Sequence, residues 1–184
     1  FNAILYDSLV DPLPHLVLTG GDVGMKNAGT TSRQKPMSAS VPTLVRMHRR
    51  HLLGDVFGDL DSSSDGATAD TLQFAMRAIQ SEGRGAIVYL RTSGQWPSTE
   101  PDLESHLQSI RSPQMRDADT PDLHSAPGKG HNTMPMDLRQ YGVGGQILRD
   151  LGLGKLRLLT NHPKSLPGLE AFGLEIVENV PLLR

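Results

Sequence analysis

The chain is 184 residues long, 37% apolar and carries a formal net charge of −2. That suits one globular domain with a real core, and the charge gives no general electrostatic ground for a nucleic-acid partner or a membrane surface. No apolar run approaches the roughly 18 residues of a membrane helix, no secretory h-region is visible, and the absence of cysteine excludes disulfides and thiolate metal sites.

In chain order, Ala3–Tyr6 and His15–Leu18 read as strands, with Asp11, Pro12 and Pro14 punctuating the turn between them. Residues 19–40 are poor in apolar side chains and rich in Gly, Ser and Thr, so a weakly ordered loop is expected. Val41–Met47 reads as a strand leading into His48, and 58–67 as a small, polar, acidic connection. Leu72, Ala75, Met76 and Ile79 recur at helical spacing and predict a helix over about 69–81, with Gly83 at its C-terminal cap. Ala86–Leu90 suits a buried strand.

Residues 92–133 lack the apolar area to offset the entropy of ordering them, apart from two possible helical turns over 103–110. Order returns at Met136. A helix is expected over Val143–Leu151, closed by Gly152. A strand at Lys155–Leu159, a turn at Thr160–Pro163, a short helix over Leu166–Phe172 stopped by Gly173, and a strand at Leu174–Glu178 follow. Alternating strands and helices predict an α/β or α+β domain, a mixed sheet with flanking helices and at least partly parallel pairing.

Three stretches carry candidate chemistry. The strand end Leu158–Lys164 offers backbone N–H groups, the Thr160 hydroxyl and the Lys164 charge to a phosphate; an ordinary turn with a solvated lysine has the same composition. Asp137 and Arg139 share a side if their segment is extended, where they could act as base and cation around a phosphate; a surface ion pair is the plainer alternative. Arg46, Arg49 and Arg50 form a basic cluster with His48 and His51. It fits an anionic ligand or a solvated charged turn, and the two histidines could share a metal only with a third ligand.

Together these stretches read R-x-H-x-x-(H51)-x-x-G-D-x-F-G, E-G-R-G-x-x-x-Y-x-R, M-D-L-R-x-Y-G-x-G-x-Q-I-L-R-D-L-G, R-L-L-T-N-x-P and G-L-x-I-V-E-x-V-P-L, over most of 41–92 and 136–182. In this order they resemble GTP cyclohydrolase II as it occurs in bifunctional riboflavin-synthesis proteins. The resemblance implies a hydrolase acting on a cyclic amidine: it opens the imidazole ring of GTP, releases formate and pyrophosphate, and uses a water on a zinc held by three cysteines. It also implies a homodimer, a cytoplasmic setting (plastid in a plant), and a preceding 3,4-dihydroxy-2-butanone 4-phosphate synthase domain. The last agrees with a chain that starts at Phe1 and is expected to be a single domain, 1–184, of something longer.

On the family pattern, Asp137 falls on the proton acceptor and Arg139 on the arginine acting at the α-phosphate. Arg46 and His48 fall on the first GTP-contacting segment, and Thr120 and Thr160 on substrate-contacting threonines. Lys164 lies one place before the family's lysine position, which is Ser165 here. The zinc cysteines fall on His51, Ser62 and Ser64, and the phosphate loop after the Y-x-R strand is replaced by Arg91–Pro97. A serine hydroxyl stays protonated near neutral pH and is a poor zinc ligand, so the only conceivable rebuilt donor set is His51 with Asp59, Asp61 or Asp65. The expectation is therefore a family fold with no bound cofactor, kept for a structural, dimerising or regulatory role. An active cyclohydrolase and a nucleotide sensor using Arg46, Arg49, Arg50, Thr160 and Lys164 are the alternatives.

Overall fold

A computed structural model describes residues 1–9, 11, 13–24, 37–63, 65–91, 138–163 and 167–182. Six strands form one mixed sheet: β1 (Asn2–Tyr6), β2 (His15–Gly20), β3 (Thr43–Arg49), β4 (Gly85–Leu90), β5 (Lys155–Leu159) and β6 (Glu175–Val180). Their spatial order is β1-β2-β4-β3-β5-β6. β1 and β2 are antiparallel, as are β2 and β4, whereas β3 runs parallel to β4 and to β5, and β5 parallel to β6. The expected mixed sheet with flanking helices is therefore present.

Among the described residues, four α-helices accompany the sheet: α1 (Leu52–Phe57), α2 (Thr68–Glu82), α3 (Leu138–Asp150) and α4 (Pro167–Glu170). The two central strands β3 and β4 are buried almost throughout, as strands covered on both faces must be. Alternate residues of β3 feed two separate cores. Leu44 clusters with Ala75 and Ile79 of α2, together with Ile87 and Leu159. Val45 and Met47 cluster with Ile147, Leu148 and Leu151 of α3, together with Val88, Leu156 and Leu158. α2 and α3 thus lie on opposite faces, giving three layers.

The helical period read in the sequence is the one α2 buries, and Gly83 ends the helix at φ 75°, where a side chain would be strained. α3 begins at Leu138, five residues before the expected Val143. Its glycines hide it from propensity but serve packing: a Cβ at Gly144 would collide with the Met47 side chain, and one at Gly145 would meet Phe172 at 2.7 Å. The short helix α1 lies in a stretch, 52–57, to which the sequence assigns no element. Of the two segments expected to be weakly ordered, 25–36 and 92–133 lie outside the described residues, while β2 extends to Gly20 and a 3-10 turn occupies Met37–Ser40.

Candidate functional site at the carboxyl edge of the sheet

From β3 the chain passes through α2 to β4 on one side, then through α3 to β5 on the other side of β3. The direction of winding therefore reverses at β3. In open α/β sheets, the crevice outside the carboxyl ends of the strands at such a reversal is the usual ligand position. Here the β3–β5 ladder stops at Val45 and Leu158. The next carbonyl, that of Leu159, accepts a hydrogen bond from Arg46 Nη1 at 3.0 Å.

Arg46 is buried in this gap, and its Nε has no hydrogen-bond partner among the described residues. Burial lowers its pKa, and the negative charge of Asp65 opposes that effect; a guanidinium stays protonated regardless. The first arginine of the basic cluster is thus a largely buried cation at the sheet edge rather than part of a solvated turn. Asp65 Oδ2 accepts from Asn161 Nδ2 at 3.0 Å and lies 3.3 Å from His162 Nε2. Thr160 caps the same turn, its Oγ1 accepting the His162 N–H at 3.1 Å. That leaves the Thr160 hydroxyl proton for another acceptor.

Beside Arg46, His48 and Tyr89 occupy paired positions of β3 and β4, and their rings stack at 5.4 Å. Both reach the carboxylate of Asp55 on α1, which is 4% exposed. Asp55 Oδ1 lies 2.9 Å from His48 Nε2. Oδ2 accepts from Tyr89 Oη at 2.6 Å and from the His51 N–H at 2.9 Å. An acceptor-only carboxylate requires the proton of neutral His48 on Nε2, which leaves Nδ1 as a buried lone pair without a partner among the described residues. Burial alone would raise the pKa of Asp55; the hydrogen bond and charge of His48, with the other donors, outweigh it and bring it down to about 2. The same carboxylate, together with burial, pushes the Tyr89 hydroxyl pKa up.

Two positions where the resemblance expects zinc ligands, His51 and Ser62, are described, and both hold helix ends. His51 Nδ1 caps α1 by accepting the Gly54 N–H at 3.0 Å. Ser62 Oγ donates to the Asp59 carbonyl at 2.6 Å and accepts the Thr68 N–H at 2.9 Å, and so caps α2 from six residues away. Gly54 approaches so closely that a Cβ there would overlap the hydroxyls of Ser62 and Thr68. Ser64 lies outside the described residues. Among the described residues, no three His, Asp or Glu side chains are grouped to hold a metal ion. His48 and His51 do not converge on a shared metal position, because each has the separate partner just given.

At the far side of the edge, Arg139 sits in the first turn of α3 rather than in an extended segment. Its Nη2 donates to Asp11 Oδ1 at 2.9 Å. Asp137, Thr120 and Lys164 lie outside the described residues. The structure therefore brings Arg46, His48 and Thr160 to one edge with Arg139, and adds Asp55, Tyr89, Asp65, Asp11 and His15. Asp55 and Tyr89 stand inside the quoted G-D-x-F-G and Y-x-R patterns, which was the available signal. Asp11 entered the reading only as turn punctuation.

Fold and edge together define a three-layer α/β protein with an arginine-bearing polar edge at its switch point. The chain belongs to the GTP cyclohydrolase II family, whose model matches residues 1–181. It is 38% identical over 184 residues to the riboflavin biosynthesis protein RibBA of Bacillus cytotoxicus, 36% identical to RibBA of Bacillus cereus and 35% to that of Bacillus mycoides. In each case the match covers 99% of this chain and 39% of the relative. The chain thus spans well under half the length of the curated relatives it matches.

Proposed function

We propose that this chain is a GTP cyclohydrolase II-fold domain of a riboflavin-synthesis protein that no longer performs zinc-dependent ring opening. Its role in that reading is structural, dimerising or regulatory, beside a 3,4-dihydroxy-2-butanone 4-phosphate synthase domain, with a second copy of itself as partner. The observation that carries it is the donor set. A catalytic zinc needs three firm protein ligands and one open position, and this chain has no cysteine. The His51 Nδ1 and Ser62 Oγ lone pairs are committed to helix caps, and neutral hydroxyls are weak ligands for zinc. Asp65, the described carboxylate nearest in sequence to Ser64, faces Asn161 and His162. The residues present do not fit the metal. Elemental analysis of protein purified without chelator tests this. Zinc well below one equivalent per chain is expected, and a full equivalent resisting dialysis would contradict it.

A second reading rests on a different observation. Arg46, Thr160 and Arg139 remain at the crevice edge, which supports binding of a nucleotide phosphate without its chemistry. Calorimetry with GTP is expected to show binding weakened by Arg46→Ala or Arg139→Ala. No heat at millimolar GTP would end this reading and leave the structural role.

A further inference from the structure

The sequence reading gives Arg139 importance but supplies it with no anchor. The structure does. Asp11 and His15 are both 1% exposed at their side chains, whereas Arg139 is 53% exposed. A buried carboxylate is costly unless it is paired and hydrogen-bonded. Asp11 meets that demand from three directions. Arg139 Nη2 donates to Oδ1 at 2.9 Å, Ser8 Oγ donates to Oδ2 at 3.2 Å, and His15 Nε2 lies 3.2 Å from Oδ2 as an electrostatic contact rather than an aligned hydrogen bond. The turn is closed by the Asp11 N–H on Ser8 Oγ at 3.0 Å.

His15 in turn faces β4. Its Nδ1 accepts the backbone N–H of Arg91 at 3.1 Å, which in the neutral ring places the proton on Nε2, toward Asp11. Burial lowers the His15 pKa against the opposing pull of Asp11. A chain of contacts therefore runs from the main chain at Arg91, through His15 and Asp11, to the Arg139 guanidinium. Arg91 is the last described residue before 92–137, and α3 begins directly after that stretch. One buried pair thus holds both ends of the excursion between β4 and α3.

We propose that Asp11 and His15 form a clasp. It fixes the end of β4 relative to the start of α3 and sets the Arg139 guanidinium in one orientation at the carboxyl edge. Asp11 is then a positioning residue for Arg139. The phosphate-bearing ligand that Arg139 would meet rests on the nucleotide-binding reading above, whereas the clasp itself does not.

The test uses the full chain and the arginine reagent phenylglyoxal, with modification mapped by mass spectrometry. Arg77, on the outer surface of α2 beside Gln73, serves as the internal reference, and buried Arg46 reports loosening of the whole fold. Arg139 is expected to react several-fold more slowly than Arg77 in the wild type. In Asp11→Asn it should react at least about fivefold faster than in the wild type, with Arg46 still protected. Equal Arg139 rates in the two proteins, with Arg46 protected in both, would overturn the clasp. Should Asp11→Asn expose Arg46 by unfolding, Ser8→Ala decides: it leaves both charges in place and removes one anchor of Asp11, and about a twofold rise at Arg139 alone is expected, no rise being contrary. A parallel titration with inorganic tripolyphosphate separates the two ideas. Binding by the wild type that weakens about tenfold in Asp11→Asn supports the positioning role, and undiminished binding contradicts it. Absence of binding by the wild type defeats the phosphate reading and leaves the clasp to the modification rates.

Discussion

At the level of single residues, the carboxyl edge is organised by two buried carboxylates, Asp55 and Asp11, each holding side chains from distant parts of the chain. The Tyr89 bond to Asp55 is a neutral donor on a charged acceptor, a class of interaction contributing about 1.5–3 kcal/mol. Tyr89→Phe is therefore expected to lower unfolding stability by that amount in urea titration, and an unchanged midpoint would mean the bond is not formed in solution. The same network fixes the acid behaviour. Asp55 titrates at about 2 in the folded chain against an ordinary 3.8, so the unfolded state binds more protons between those values. Its contribution, roughly 2 kcal/mol, is complete above about pH 5 and is lost as pH falls toward 2. His15 is also displaced downward, below its ordinary 6.5, because burial disfavours the imidazolium. Its unfolded form again takes up protons first, and stability begins to fall as pH drops below about 6.5. Two steps of destabilisation are expected in denaturation midpoints measured from pH 7.5 to 2.5, the lower one reduced in Tyr89→Phe. A flat profile between pH 7 and 5 would remove His15 from the account.

Among the elements, those legible in the sequence carry their signal locally. α2 shows four apolar positions at helical spacing, and Gly83 stops it. β4 is a short, nearly continuous apolar run, and β5 alternates Lys155 and Arg157 with buried leucines between Gly154 and Thr160. α1 is different: Gly54 is its only buried residue, so no apolar period announces it. It stands because His51 caps it and because Gly54 lets it lie against Ser62 and Thr68. Gly54→Ala removes that approach and, although alanine is the better helix former, is expected to cost about 1–3 kcal/mol through overpacking. A gain in thermal midpoint would show that α1 does not lie where the structure places it. The early start of α3 was hidden for a related reason. Gly142, Gly144 and Gly145 weaken its propensity, and contacts with Met47 and Phe172 that only the tertiary fold supplies give Gly144 and Gly145 their purpose. The site was half legible on the same grounds. Arg46, His48 and Thr160 lie within recognisable patterns. The carboxylates that organise the edge find partners 34 residues away at Tyr89 and 128 away at Arg139, and no local pattern encodes such pairings.

For the whole molecule, the described strands form one mixed six-stranded sheet, while His51 and Ser62, two positions where the resemblance expects zinc ligands, serve as helix caps. Fold and chemistry have separate requirements: burial of Val45, Ile87 and Leu148 sustains the sheet without any help from a thiolate. No helix among the described residues is long and apolar enough to cross a membrane. The proposal that the domain persists without ring opening is tested most directly by incubating the purified full chain with GTP and added zinc and measuring formate. No formate above the protein-free control is expected, with or without the metal. Stoichiometric, repeated release of formate that a chelator abolishes would contradict the account.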